Sequence, residues 1–190
     1  MSCLRINIYL NLKTFFKSIS SQVVKKKRIE KLIQQNSKKK YFILTSQLRI
    51  GFLILLKYLK KKFPKKKEII FQPFNLPEMI NIAIRSNLKV RFKKLDYETG
   101  QPNFKYLNSI VNNKTLALVS TNIFLSPKSI TRLKDFCKKK KIIFIEDNAI
   151  YFDNFFFKKN KKRYSGSFGD YTLYSFNIMK NVSSFFGNFF

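Results

Sequence analysis

The chain has 190 residues and no histidine. That absence removes Ser-His-Asp and Cys-His catalysis and most zinc chemistry. Any reaction must run on Lys, Asp, Glu, Tyr, Ser or a cofactor. Two stretches carry suitable groups. Asp147 follows directly on the apolar run Ile142–Ile145, inside Ile143-Phe-Ile-Glu-Asp-Asn-Ala149. Downstream lies Gly166-Ser-Phe-Gly-Asp170, then Tyr-Thr-Leu-Tyr-Ser175-Phe-Asn-Ile-Met-Lys180. Alone, an acidic residue at a strand end is usually a helix cap or a loop residue. A single lysine in so lysine-rich a chain says almost nothing. The ordered combination says more.

These residues need a scaffold, and the chain from residue 41 onward reads as one. Tyr41–Ser46 predicts a strand, Arg49–Lys62 a helix and Glu68–Phe71 a second strand. Pro77 opens a helix to about Asn87, at a first-turn position where its missing N–H costs nothing. Val90–Leu95 predicts a strand, Asp96–Gly100 a turn, Phe104–Val111 a short helix and Thr115–Ser120 a strand. Ser126-Pro127 caps a helix whose Ile130, Leu133, Phe136 and Cys137 recur at helical spacing. Lys138–Lys141 sit at the negative end of its dipole. Ile142–Ile145 reads as a strand buried on both faces, and Asp170–Phe176 as the last strand. Alternating strands and helices with short connections mean βαβ units. The expected fold class is α/β, a three-layer α/β/α sandwich around a mostly parallel sheet. Ligands in such sheets bind beyond the carboxyl ends of the strands, where Asp147 falls. Residues 1–37 are set apart as an N-terminal helical segment, and Phe155–Arg163 as a lysine-rich surface loop.

Composition bounds the function. Apolar residues make up 45% and aromatics 16%, which fits a globular chain. The formal charge of +29 invites a nucleic-acid or anionic-membrane partner. Only Arg5, Arg28, Arg49, Arg85, Arg91, Arg132 and Arg163 are arginines among 39 basic residues. Base-reading proteins favour Arg, whose planar fork matches guanine edges and phosphates. The accompanying wealth of Ile, Asn, Phe and Tyr suggests drift toward A/T-rich codons. The charge is therefore read as solvated surface, with no nucleic-acid or membrane partner. Cys3 and Cys137 are too few for a disulfide framework and suit no metal motif, so no metal site is expected. No apolar run approaches the roughly 18 residues that span a bilayer; the longest is Ile50–Leu56. The start, with Arg5 and Ile6–Leu12, makes a poor signal peptide. A cytoplasmic protein is expected.

The acidic strand end, the Gly-Asp turn and Ser175-Phe-Asn-x-x-Lys180 together resemble the DegT/DnrJ/StrS family of sugar aminotransferases. The likeness extends upstream. Thr45-Ser-Gln-Leu-Arg49 stands where the family has a Ser-Gly-Thr or Ser-Gly-Arg turn. Asp96-Tyr-Glu-Thr-Gly100 resembles its proline-glutamate-threonine segment, and Thr121-Asn-Ile-Phe124 its asparagine- or histidine-containing turn. The resemblance implies a pyridoxal 5'-phosphate (PLP) enzyme that moves an amino group from glutamate to a nucleotide-linked keto-sugar, for polysaccharide or lipopolysaccharide synthesis, as a homodimer when complete. It implies that Lys180 carries PLP covalently and shuttles the proton, and that Asp147 pairs with the pyridine nitrogen. Ser175 and the backbone at Leu48 and Arg49 would hold the cofactor phosphate.

Departures from the family pattern are also visible. Leu48 replaces the phosphate-turn glycine, Ile150 a Gln or His, and Leu125 a Gly. Pro73–Pro77 keeps a proline but not the aromatic and threonine after it. Family members run to roughly twice this length, with a C-terminal small domain. Residues 38–190 would thus be an incomplete PLP-binding large domain, with that small domain absent. The chain ends at Gly187-Asn-Phe-Phe190, where a returning antiparallel strand should begin. An unfilled central slot, aggregation and no activity of the chain alone are the expected results. The alternatives are a catalytically inactive truncated or degenerate relative, and a basic module for nucleic acid or anionic membranes.

Overall fold

A computed structural model describes residues 31, 34, 39–123, 125–149, 166–176 and 188–189. Its centre is one seven-stranded sheet. The strands are β1 (Leu44–Thr45), β2 (Glu68–Phe71), β3 (Lys89–Phe92), β4 (Thr115–Thr121), β5 (Ile143–Asn148), β6 (Tyr171–Ser175) and β7 (Asn188–Phe189). Their order is β1-β7-β6-β5-β4-β2-β3. Strands β3, β2, β4, β5 and β6 run parallel, whereas β7 is antiparallel to both β6 and β1. The helices are α1 (Leu48–Lys62), α2 (Pro77–Arg85), α3 (Phe104–Ile110) and α4 (Pro127–Lys140).

Strand alternation divides the core in two. On one face Ile69, Phe71, Ala117, Val119, Ile145 and Leu173 pack with Leu48, Phe52, Leu56 and Leu59 of α1 and with Met79 and Ala83 of α2. On the other, Ile70, Leu118 and Phe144 pack with Leu107 of α3 and with Ile130, Leu133 and Cys137 of α4. Successive residues of one strand thus serve opposite layers, as pleat geometry requires. The expected α/β/α sandwich is the observed architecture.

Local chemistry sets the ends of these elements. The Ser126 hydroxyl accepts from the Ser129 N–H and caps α4, and Asn103 caps α3 through the Tyr106 N–H. At the end of α4, Lys141 turns left-handed (φ 53°) and the Ile142 N–H returns to the Cys137 carbonyl. The Asp96–Gly100 turn closes with the Thr99 N–H donating to Asp96 Oδ1 at 3.0 Å.

Two expectations need correction. The slot beside β6 is not empty, because β7 occupies it. Phe189 pairs with both Tyr174 and Leu44, and Asn188 with both Ser175 and Thr45. The second correction is to Tyr41–Ser46, where only Leu44–Thr45 is strand. Among the described residues its partner offers Asn188 and Phe189, and Tyr41 and Ile43 lie outside the strand, 76% and 48% exposed. Of residues 1–37 only 31 and 34 are described, both helical.

Candidate active site

The carboxyl edge of the sheet gathers most of the expected residues. Asp147 lies near the end of β5, opposite Leu173 of β6, and Ser175 ends β6. Val119, Ile145, Leu173 and Leu48 share one core cluster. Two residues further along their strands, Thr121, Asp147 and Ser175 therefore fall on the same face, the one α1 covers. Strand β1 is parallel to β6 through β7, so α1 begins at this same edge. Lys180 and Ile150 lie outside the described residues.

Asp147 is 5% exposed. Its Oδ1 accepts from the Ala149 N–H at 3.0 Å and its Oδ2 from the Thr121 hydroxyl at 3.2 Å. Thr121 in turn accepts from Asn75 Nδ2 at 3.0 Å. A relay from the β2–α2 loop through β4 thus fixes the carboxylate. Neither Asn75 nor Thr121 had been given a role from sequence; only their nearness in the fold reveals one.

Helix α1 starts at Gln47 without a side-chain cap and without an acid in its first turn. Its first N–H groups and positive dipole end suit an anion. Leu48 takes the glycine's place without backbone strain. Among the described non-glycine residues only Asn87 and Lys141 have positive φ. The Leu48 side chain is buried in the core, while Arg49 is exposed and stands 3.8 Å from Glu78. Leu125, at another glycine position of the family, is buried against α4's layer.

Sequence reasoning passed over Glu146, the most tightly held side chain here. It is fully buried. Its Oε1 accepts from the Gly166 N–H and from Asn122 Nδ2, both at 2.8 Å. Its Oε2 accepts from the N–H groups of Phe168 and Gly169, at 3.0 and 2.9 Å. One carboxylate therefore folds the Gly166–Gly169 turn onto the face opposite Asp147. The signal was present in Glu146-Asp147 followed by Gly-x-x-Gly.

Gly166 has φ +86°, and a Cβ there would lie 1.9 Å from the Tyr174 hydroxyl oxygen and 2.6 Å from Thr172 Cγ2. Gly166→Ala is expected to cost about 2–4 kcal/mol of unfolding free energy, from backbone strain plus overpacking. In a Tyr174→Phe background the cost should shrink, because the nearest clash is gone. Chemical denaturation of the four proteins of the cycle measures both effects.

Among the described residues no cluster of His, Cys, Asp and Glu could hold a metal ion, and no helix is long and apolar enough to cross a membrane. The fold and this edge define an α/β protein with an uncapped helix start and a buried carboxylate on one face. The chain belongs to the DegT/DnrJ/EryC1/StrS aminotransferase family, whose model matches residues 13–188. It is 28% identical over 93 residues to GDP-perosamine synthase of Escherichia coli O157:H7, covering 49% of this chain and 24% of that protein. Its fold is similar to that of PseC of Helicobacter pylori, an aminotransferase involved in the biosynthesis of pseudoaminic acid. The TM-score is 0.78 at 18% identity, over 97% of this chain and 50% of that one. It is also similar to GDP-4-keto-6-deoxy-D-mannose-3-dehydratase of E. coli, seen with bound hydrated PLP, with TM-score 0.73 at 19% identity. That match covers 93% of this chain and 46% of the dehydratase. The chain thus spans about half the length of these solved structures and a smaller share of the curated relative.

Proposed function

We propose that this chain is the cofactor-holding part of a PLP-dependent aminotransferase acting on a nucleotide-linked keto-sugar, with glutamate as amino donor. The observation that carries the reading is the Asp147 carboxylate. It is buried, oriented by Thr121 and Ala149, and shares a face with the start of α1 and with Ser175. This donor set fits PLP: an acid for a protonated ring nitrogen at one end, and N–H donors with a helix dipole for a phosphate at the other.

When bound, PLP supplies an electron sink for charge developing at the substrate carbon. The chain supplies the rest. Asp147 holds the ring-nitrogen proton, and the Thr121–Asn75 relay keeps its carboxylate from turning away. The Leu48 and Arg49 N–H groups and the Ser175 hydroxyl bind the phosphate. Lys180 would hold the cofactor covalently and, once released, its neutral amine would serve as the proton carrier. Residues 38–190 would form the cofactor half of the enzyme, in a homodimer and in the cytoplasm.

Borohydride fixation of PLP followed by peptide mapping tests this reading without any turnover. Label is expected on Lys180, and Lys180→Ala should abolish it. Asp147→Ala should weaken PLP binding at least about tenfold, the loss of one buried charge-assisted bond. Label spread over other lysines, unchanged by either substitution, would remove these residues from the site and favour the inactive relative.

A further inference from the structure

The fold sorts the lysines in a way that the sequence conceals. In a parallel sheet the helices run back toward the amino edge, so helix ends and strand starts collect there. Lys60–Lys62 end α1, Lys65–Lys67 lead into β2, Lys89 opens β3, Lys114 precedes β4 and Lys138–Lys141 lead into β5. Backbone bonds tie the middle of this row together: the Lys67 N–H donates to the Lys114 carbonyl at 2.8 Å, and the Lys89 N–H to that of Lys67 at 2.8 Å. Most of these side chains are exposed and none is buried. Four strands at roughly 4.8 Å spacing make the row about 15 Å wide.

The acids at this edge do little to offset the row. Glu68 is buried and paired with Arg91 at 3.0 Å, Asp170 accepts from the Phe144 N–H, and Asp135 lies further up α4. Among the described residues the opposite edge is nearly balanced, with Glu78, Asp96, Glu98 and Asp147 set against Arg49, Lys93, Lys94, Lys105 and Lys128. Helix dipoles account for lysines in the last turns of α1 and α4. They do not account for Lys65–Lys67, Lys89 or Lys114.

We propose that this lysine rim docks the protein on an anionic lipid bilayer, with the cofactor edge facing away from it. The charge type favours lipid over nucleic acid. Lysine is a point charge, enough for headgroup attraction, whereas phosphate-fork recognition of nucleic acid selects arginine. The rim also carries aromatic rings: Lys62 Nζ sits 5.8 Å from the Tyr58 ring centroid and 5.6 Å from that of Phe63. Tyr58 is half exposed. Aromatic bodies beside lysine heads suit a membrane–water interface.

Co-sedimentation with phosphatidylcholine vesicles containing 30 mol% phosphatidylglycerol tests the proposal. Binding should rise steeply with the anionic fraction and fall with salt. Replacing Lys67, Lys89 and Lys114 by Gln should weaken it about a hundredfold, from roughly fivefold per lysine. The same change at Lys94, Lys105 and Lys128 should leave it within about twofold. Equal loss in both triple variants would overturn the rim assignment in favour of bulk charge. Acetylation footprinting of the unaltered chain reads the same surface, with vesicles shielding the rim lysines and sparing Lys94, Lys105 and Lys128. Uniform shielding would overturn the proposal, as would tighter binding to duplex DNA than to vesicles at physiological salt.

Discussion

Glu146→Ala is expected to be the most destabilising single substitution in the sheet. The carboxylate satisfies four donors in a site with no solvent, three of them backbone N–H groups of the Gly166–Gly169 turn. Truncation leaves the three N–H groups unpaired and Asn122 Nδ2 with only its bond to Asn148 Oδ1. A buried orphan costs about 1–3 kcal/mol, so the loss should reach at least about 4 kcal/mol. That is a large share of the ~5–15 kcal/mol by which a domain is stable. Glu146→Gln keeps one carbonyl oxygen but turns an amide donor toward N–H groups, and should fall between wild type and alanine. Urea midpoints at neutral pH give the order. A shift for Glu146→Ala of under about 0.5 kcal/mol would show that the turn is held by something else.

Lys93→Met should act in the opposite sense. Lys93 is 1% exposed at the end of β3. Its amine donates to the Ser120 hydroxyl at 2.9 Å, and that hydroxyl to Gln72 Oε1 at 3.4 Å. Gln72 Nε2 has no partner among the described residues. Among the described residues no carboxylate compensates the ammonium, and burial lowers the Lys93 pKa from 10.5 to about 7. The unfolded chain therefore binds more protons than the folded one between about pH 7 and 10.5, and stability rises with pH across that window. The full contribution is present above pH 10.5 and is lost as pH falls through the folded value. Near pH 7 the deficit is about 4 kcal/mol.

Methionine fills similar space without charge and should recover about 3 kcal/mol there, after allowing for the lost hydrogen bond. Burial also pushes the Cys137 thiol up from 9.0 to about 12, so its contribution falls as pH passes 9. The interval from pH 7 to 8.5 isolates the lysine. There the parent should gain about 1–2 kcal/mol more than the methionine variant. Parallel pH profiles for the two proteins would refute a buried neutral amine.

Much of the sheet was legible because its strands announce themselves. Ile69–Phe71 and Ile143–Ile145 are apolar on both faces, and only a central parallel strand buries both. Ser126-Pro127 and the lysines closing α4 marked that helix from either end. Tyr41 and Ile43 misled, since apolar sequence does not reveal that both stand exposed ahead of the strand. Lys93 was equally hidden: within Val90–Leu95 nothing separates a lysine that reaches solvent from one turned under α4's layer. At the candidate site, the placement of Asp147 and Ser175 at one sheet edge was readable from the strand pattern. Asn75 and Thr121 were not, because hydroxyl and amide side chains acquire meaning only from what stands beside them. Glu146 was overshadowed by its neighbour, since alternation sends the two carboxylates to opposite faces of one strand.

The pairing of β1 also fixes an order of assembly. Strands β2 to β5 and their helices pair among themselves through separations of a few tens of residues, and can form as soon as those segments exist. Strand β1 is different. Among the described residues its neighbour in the sheet is β7, so Leu44 waits for Phe189. That contact has the longest loop closure in the sheet and the smallest return, two residues of ladder. The edge laid down first in synthesis is therefore completed last, and hydrogen exchange should find Leu44 and Thr45 opening well before β4 or β5.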